Sequence, residues 1–225
     1  MQNETEMRFP VWRRILPAAI LAAVFIAAGF ALDPVVTRWV LDANHGHWSA
    51  KPAVLFLSRF GDWPELMVLG AAGFLAARAL RSVRWQRLFL SAMIASTLAG
   101  VVVNASRLTT GRTRPRAAAE QGWYGPRHGE KWLVGEADFN SFPSGHTATA
   151  FGFAGVFLFA APEWGAFALA MAGGIALSRI LLGAHHPSDV SVAAVLSLAL
   201  AWAVWEYLGR RGRLDIGTAV KALKR

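Results

Sequence analysis

Six apolar stretches, each near the length of a bilayer crossing, constrain this chain more than any other feature. They fall at residues 15–32, 64–80, 88–106, 146–161, 164–182 and 190–208. A hydrocarbon core about 30 Å thick asks for roughly 20 apolar residues of helix. Inside it every backbone N–H and C=O must be bonded within the protein, which leaves helices as the solution for runs of this kind. The expectation is an all-α integral membrane protein, a six-transmembrane-helix bundle forming one domain over residues 1–225. Composition agrees: 55% of residues are hydrophobic and 16% charged, against about 45–50% and about 25% in soluble domains. The first stretch has a second reading as a signal peptide, because Arg13 and Arg14 precede it. Its 18 uncharged residues are too many for a typical signal core, and Asp33-Pro34 is a poor cleavage site, so it is read as a retained helix.

The net charge of +9 is placed as in a membrane protein. Thirteen Lys and Arg crowd the N-terminus, the short connection holding Arg78, Arg81, Arg84 and Arg87, and the C-terminal tail. The opposite side has nine, spread through two long loops. The positive-inside rule then puts both termini in the cytoplasm. Arg78 reads as a side chain snorkelling to the interface. Trp12, Trp63, Trp85, Trp164 and Trp205 fall near helix ends, as interfacial belt residues do. This placement argues against nucleic acid as a partner, since the excess charge flanks membrane helices. With no Cys there is neither a disulfide framework nor a thiolate site.

The two long outer loops differ in content. In residues 33–62, Val35, Val36, Trp39 and Val40 recur at helical spacing, which predicts a short helix lying on the outer membrane surface. The connection from Arg107 to His146 is too long for a simple linker and rich in Arg, Gly, Pro and aromatics. Small residues four apart, Ala148 with Gly152 and Ala150 with Ala154, would let helices approach closely.

Three polar clusters sit at the outer ends of the helices, where polar groups are expensive and usually functional. They are Arg107 and Arg114-Pro115; Pro143-Ser144-Gly145-His146; and Ser178-Arg179 with His185 and Asp189. Each suits a phosphate. Arg107, Arg114 and Arg179 offer planar, permanently charged forks of donors. Ser144, Gly145 and His146 open a helix whose N-terminal N–H groups favour an anion. Asp189, four residues after His185 with Pro187 between them, can reach back to the imidazole and leave its other nitrogen free to attack phosphorus. His146 is then available to protonate the leaving oxygen.

These spacings resemble the three-part signature of the type-2 phosphatidic acid phosphatase superfamily, shared with vanadium-dependent haloperoxidases. That signature is Lys, six residues, Arg-Pro; Pro-Ser-Gly-His; and Ser-Arg, five residues, His, three residues, Asp. The second and third parts match in full. In the first, Arg107 stands where the family usually has Lys. The resemblance implies His185 as nucleophile forming a phosphohistidine, Asp189 orienting it, and His146 as general acid. It implies Arg107, Arg114, Ser144, Gly145 and Arg179 as the phosphate-binding set, with no metal and no cofactor. Among the remaining residues, His186 points away from His185. His45, His47 and His128 read as solvated loop histidines, Glu136 and Asp138 as loop carboxylates, and Arg112 and Arg116 as headgroup contacts.

The resemblance implies a lipid phosphatase of the bacterial inner membrane, with its site facing the periplasm or outside and a lipid phosphate as partner. Undecaprenyl pyrophosphate, phosphatidylglycerol phosphate, phosphatidic acid and the 1-phosphate of lipid A all fit, and oligomeric state stays open. A lipid phosphotransferase using the same phosphohistidine is the alternative. Haloperoxidase activity is disfavoured by the membrane helices, and a non-enzymatic transporter or scaffold by the completeness of the clusters.

Overall fold

The computed structural model describes residues 11–42, 48 and 51–210. His45, His47, Arg8 and the basic residues of 211–225 lie outside them. The described chain runs through α1 (Val11–Asp42), α2 (Pro52–Phe60), α3 (Trp63–Ala79), α4 (Val83–Thr110), α5 (Gly145–Ala160), α6 (Pro162–Leu181) and α7 (Pro187–Val204). A small hairpin of β1 (Arg127–His128) and β2 (Lys131–Trp132) sits in the loop between α4 and α5. This is the expected all-α membrane architecture, with a helix at each of the six apolar stretches. The helices α1, α4, α6 and α7 are long and apolar enough to cross a membrane, and α3 and α5 are shorter, at 17 and 16 residues.

Two boundaries differ from the sequence reading. The segment around Val35 to Val40 is no separate surface helix; it continues α1 through Pro34 to Asp42. The apolar stretch ends at residue 32, before Asp33 and Pro34, yet α1 holds Pro34 inside it and the Asp33 carboxylate is bonded within the protein. The separate short helix between the first two membrane stretches is α2. The third membrane helix, α4, also runs past residue 106, so Arg107 lies in its last turn.

Helix α5 is the centre of the bundle, packing against α4, α6 and α7, while α1 lies on α7 and α2 on α6. Lipid tails are as apolar as the side chains, so association depends on close packing and interhelical hydrogen bonds. The small residues of α5 provide both faces. Ala148 packs with Ala99, Val103 and Ala193, while Ala150 and Ala154 meet Ala172 and Ile175 of α6. Gly152 sits so near α4 that a Cβ there would lie 2.9 Å from the Ala95 carbonyl oxygen and 3.0 Å from the Ser96 Cα. That approach lets Ser96 donate from its hydroxyl to the Thr149 carbonyl at 3.0 Å. At the opposite end of the bundle from the loop, Arg84 of α4 joins Glu163 of α6 at 3.1 Å. Lipid-facing positions such as Leu21 and Val24 of α1 and Val68 of α3 are exposed and apolar.

The loop between α4 and α5 is tied to itself and to the helix ends. The Ser141 N–H donates to the Arg112 carbonyl at 3.0 Å, the Arg114 N–H to the Asp138 carbonyl at 2.8 Å, and the Arg116 N–H to Gly183 at 3.1 Å. Trp123 packs edge-on against Phe142, and Tyr124 against Phe139 and His128.

Because α5 meets α4 at backbone distance, Gly152→Leu should force the helices apart. Overpacking of this kind costs about 1–3 kcal/mol, and thermal melting in detergent should show a lowered midpoint. An unchanged midpoint would contradict the packing described.

Candidate active site

The C-terminal turn of α4, the loop, the N-terminus of α5 and the α6–α7 turn meet at one end of the bundle, and they bring the three polar clusters together. Arg107 donates from Nε to the Pro143 carbonyl at 2.8 Å and from Nη1 to Asn104 at 3.1 Å. Its guanidinium lies flat on the start of α5, where a Cβ at Gly145 would come within 3.0 Å of Nη2. This explains Gly145 and gives Arg107 a use that Lys cannot copy, since one ammonium cannot both bond Pro143 and cover the glycine. Arg179, in the last turn of α6, donates to the Ser58 hydroxyl of α2 at 2.5 Å. Ser178 beside it is turned inward and spends its hydroxyl on the Ile175 carbonyl at 2.6 Å.

Arg107, Arg114 and Arg179 lie near enough to feel one another's charge. The Nε atoms of Arg114 and Arg179 are buried and have no acceptor among the described residues. A buried donor left unpaired costs about 1–3 kcal/mol, and a cluster of mutually repelling guanidinium groups with unused donors suits an anion. The first-turn N–H groups of α5, which follow Ser144, have no intrahelical acceptors and add the positive end of a helix dipole. Ser144 is fully buried, and its hydroxyl accepts from Thr147 at 2.9 Å.

His185 is 1% exposed. Its Nδ1 lies 2.7 Å from the Ser141 carbonyl, which can only accept, so Nδ1 carries the proton and Nε2 keeps a free lone pair. The expected direct contact with Asp189 is looser, at 3.6 Å. Asp189 acts one step back: Oδ2 accepts from the Ser141 hydroxyl at 2.5 Å and from the His186 N–H at 2.8 Å. The carboxylate thus holds the serine whose carbonyl holds the imidazole, and it also caps α7, which opens at Pro187. Burial pushes the His185 pKa down to about 4, although Asp189 opposes the shift, so the ring is neutral near pH 7.

Three further residues belong to the site. Arg112, read from sequence as a headgroup contact, is 6% exposed. It bonds Asp189 through Nη1, Ser188 through Nη1 at 2.6 Å, and Asp33 of α1 through Nη2 at 2.6 Å. Trp123 lies against the guanidinium, 4.6 Å from ring centroid to Cζ. Asp33 also accepts from the Ser188 N–H at 2.9 Å and its hydroxyl at 2.6 Å. Asp62, in the turn before α3, lies 3.0 Å from Nε2 of His146, and burial together with Glu65 pushes its carboxyl pKa up. Neither pairing has a spacing signal, because the partners come from distant parts of the chain. His186 faces away from His185, its ring bridging Thr37 at 2.9 Å and the Thr113 carbonyl at 3.1 Å. Glu136 pairs with Lys131 at 3.1 Å.

Breaking a buried charge pair by removing one partner costs about 3–5 kcal/mol. Arg112→Gln should therefore lower the melting midpoint sharply, and Arg116→Gln, at an exposed position, should not. Equal midpoints for the two variants would contradict the role given to Arg112.

The same clusters fall within a recognised family. Residues 85–213 match the PAP2 superfamily. A lipid A 1-phosphatase of Rhizobium etli is 30% identical over 159 residues, covering 63% of this chain and 66% of the relative. A lipid A 1-phosphatase of Rhizobium johnstonii is 28% identical over 201 residues, covering 80% and 78%. Among solved structures, Aquifex aeolicus LpxE aligns with a TM-score of 0.48 and 22% identity, over 78% of this chain and 96% of that one.

Proposed function

The chain belongs to the PAP2 superfamily, and on that footing we propose that it is a lipid phosphatase whose substrate is the 1-phosphate of lipid A. The observation that carries the reading is the pair of orphaned, buried Arg114 and Arg179 Nε donors beside a neutral, buried His185. The substrate follows from the relatives, both named for that activity.

In the proposed reaction, Arg107, Arg114 and Arg179, with the Ser144 hydroxyl and the N–H groups opening α5, hold the phosphoryl oxygens and stabilise charge developing there. Nε2 of His185 attacks phosphorus; a P–N bond forms and the P–O bond to the lipid breaks. His146 gives its proton to the departing lipid oxygen, and Asp62 holds the imidazole in place for that transfer. Water then attacks the phosphohistidine, His146 takes a proton from it, the P–N bond breaks, and inorganic phosphate leaves. No metal takes part. The whole chain forms one membrane phosphatase domain in the bacterial inner membrane, with both termini cytoplasmic and the site on the periplasmic side.

The test is phosphate release by purified protein in detergent with EDTA, from lipid A, undecaprenyl pyrophosphate, phosphatidylglycerol phosphate and phosphatidic acid. Lipid A should be turned over fastest, chelation should not matter, His185→Ala should release nothing, and His146→Ala should be slower by about 10²–10⁴-fold. No release from any lipid, with transfer appearing once an acceptor lipid is added, would replace hydrolysis by phosphotransfer.

The pH profile supplies a second check. A base whose pKa is depressed stays unprotonated, and competent as nucleophile, down to that lowered value. Once the lipid phosphate's own ionisation near pH 6 is allowed for, kcat/KM should show no loss from His185 at its ordinary pKa of about 6.5. The loss should come only toward pH 4. A His185 limb near 6.5 would contradict a buried, neutral nucleophile.

A further inference from the structure

One stretch that touches the site lies outside the three polar clusters and before the family match at residues 85–213: the elbow of residues 58–62, between α2 and α3. We infer that this elbow aims the general acid, with the Asp62 carboxylate holding Nε2 of His146 so that Nδ1 is the atom that gives its proton to the departing lipid oxygen. The inference rests on the phosphatase reading above and deepens it, naming the donor atom and the segment that positions it.

The elbow is fastened to both helices that carry site residues. The buried Ser58 hydroxyl accepts from the Arg179 guanidinium of α6 at 2.5 Å. The Gly61 carbonyl accepts from the Thr149 hydroxyl of α5 at 2.7 Å, one turn from His146. Gly61 itself is wedged between them: a Cβ there would strike Ile175 of α6 and come within 3.4 Å of the His146 Cβ, so any larger residue would push the elbow off the site. Asp62 stands at the N-cap of α3, where a carboxylate ordinarily accepts from the first-turn N–H groups. It makes no such bond. Its Oδ1 instead lies 3.0 Å from Nε2 of His146, while Arg59 pairs with Glu65 at 3.5 Å. The same short segment therefore registers the proton donor against an arginine of the phosphate-binding set.

The ring edge fixes the atom. Nε2 faces Asp62, and Cδ2, its neighbour in the ring, is the imidazole atom nearest Gly61. The Nε2–Cδ2 edge thus lies against the elbow, and Nδ1 is on the edge turned away from it. A neutral ring holds its one proton at Nε2, donated to the carboxylate. A second proton enters at Nδ1, and the charge it brings is opposed by the carboxylate across the ring. As Nε2 of His185 attacks phosphorus and the P–O bond breaks, the Nδ1 proton passes to the lipid oxygen, and the neutral ring stays on Asp62. When water attacks the phosphohistidine, Nδ1 takes a proton back. Asp62 acts through His146 and is a positioning residue. Its side chain is half exposed, so loss of its charge should leave the fold standing.

Leaving-group dependence separates aiming an acid from supporting the fold. Phosphate release is measured in detergent from lipid A, whose departing oxygen needs a proton, and from p-nitrophenyl phosphate, whose phenolate departs without one. Asp62→Asn should lower kcat on lipid A by about 10²-fold, the lower end of what a general acid supplies, with KM little changed, and leave p-nitrophenyl phosphate near wild type. Asp62→Glu should recover part of the loss. Ser58→Ala, which frees Arg179, should weaken both substrates alike. Asp62→Asn equal to wild type on lipid A, or an equal loss on both substrates, would overturn the inference. A second arm needs no turnover: with 15N-labelled histidine, the His146 signals, assigned by their loss in His146→Ala, should show Nε2 protonated and Nδ1 bare in the neutral ring, and this preference should weaken in Asp62→Asn. The opposite tautomer in wild type would also overturn it. No release from any ester, with Nε2 still protonated, would sink the phosphatase reading and the proton transfer with it, while the aimed imidazole stands.

Discussion

The end of the bundle that gathers the polar clusters depends on one guanidinium. Arg112 lies between the carboxylates of Asp33 and Asp189, both buried, and shares the Ser188 hydroxyl with Asp33. Three segments far apart in sequence, α1, the long loop and α7, are clamped by it. Desolvating a lone charge costs several kcal/mol, so none of the three ions is stable there without the others, and each segment is placed by the rest. Asp189 passes the constraint on: its second oxygen fixes Ser141, and the Ser141 carbonyl fixes the His185 ring with Nε2 unprotonated. A carboxylate that touched the imidazole directly would stabilise the imidazolium. The Ser141 carbonyl, at 2.7 Å, is the nearer contact and orients the ring, while Asp189, 3.6 Å from Nδ1, still favours the protonated form.

The remaining arginines are held differently. Arg112 is neutralised by carboxylates, whereas Arg107, Arg114 and Arg179 are braced by neutral partners or left partly unpaired: Pro143 and Asn104 for the first, Ser58 for the last. On the proposed reading, this separates a charge that serves structure from charges kept for an anion. The candidate site lies at the end of the bundle where α4 ends and α5 begins, with the polar loop beside it.

Much of this can be read from sequence, for physical reasons. Membrane helices announce themselves because a bilayer demands long apolar runs, and the candidate site residues stand out because Arg and His at membrane depth are costly. Three things escape. The continuation of α1 past residue 32 is hidden because Asp33 and Pro34 resemble a stop, and only the distant Arg112 and Ser188 show why a carboxylate is tolerated there. Arg112 itself looks like its neighbours Arg114 and Arg116; its partners are 79 residues before it and 77 after it in the chain. The acceptor for His185 is a backbone carbonyl, which every residue has, so spacing pointed to Asp189 where the nearer contact is Ser141.

In the proposed reaction His185 carries the phosphoryl group. The most direct test is mass spectrometry of the protein during turnover of a lipid phosphate, quenched under alkaline conditions that preserve phosphohistidine. The expected result is one phosphoryl group on His185, lost in His185→Ala and accumulating in a variant slowed at His146. Steady phosphate release by the wild-type protein with no phosphoryl group detectable on His185 would contradict it.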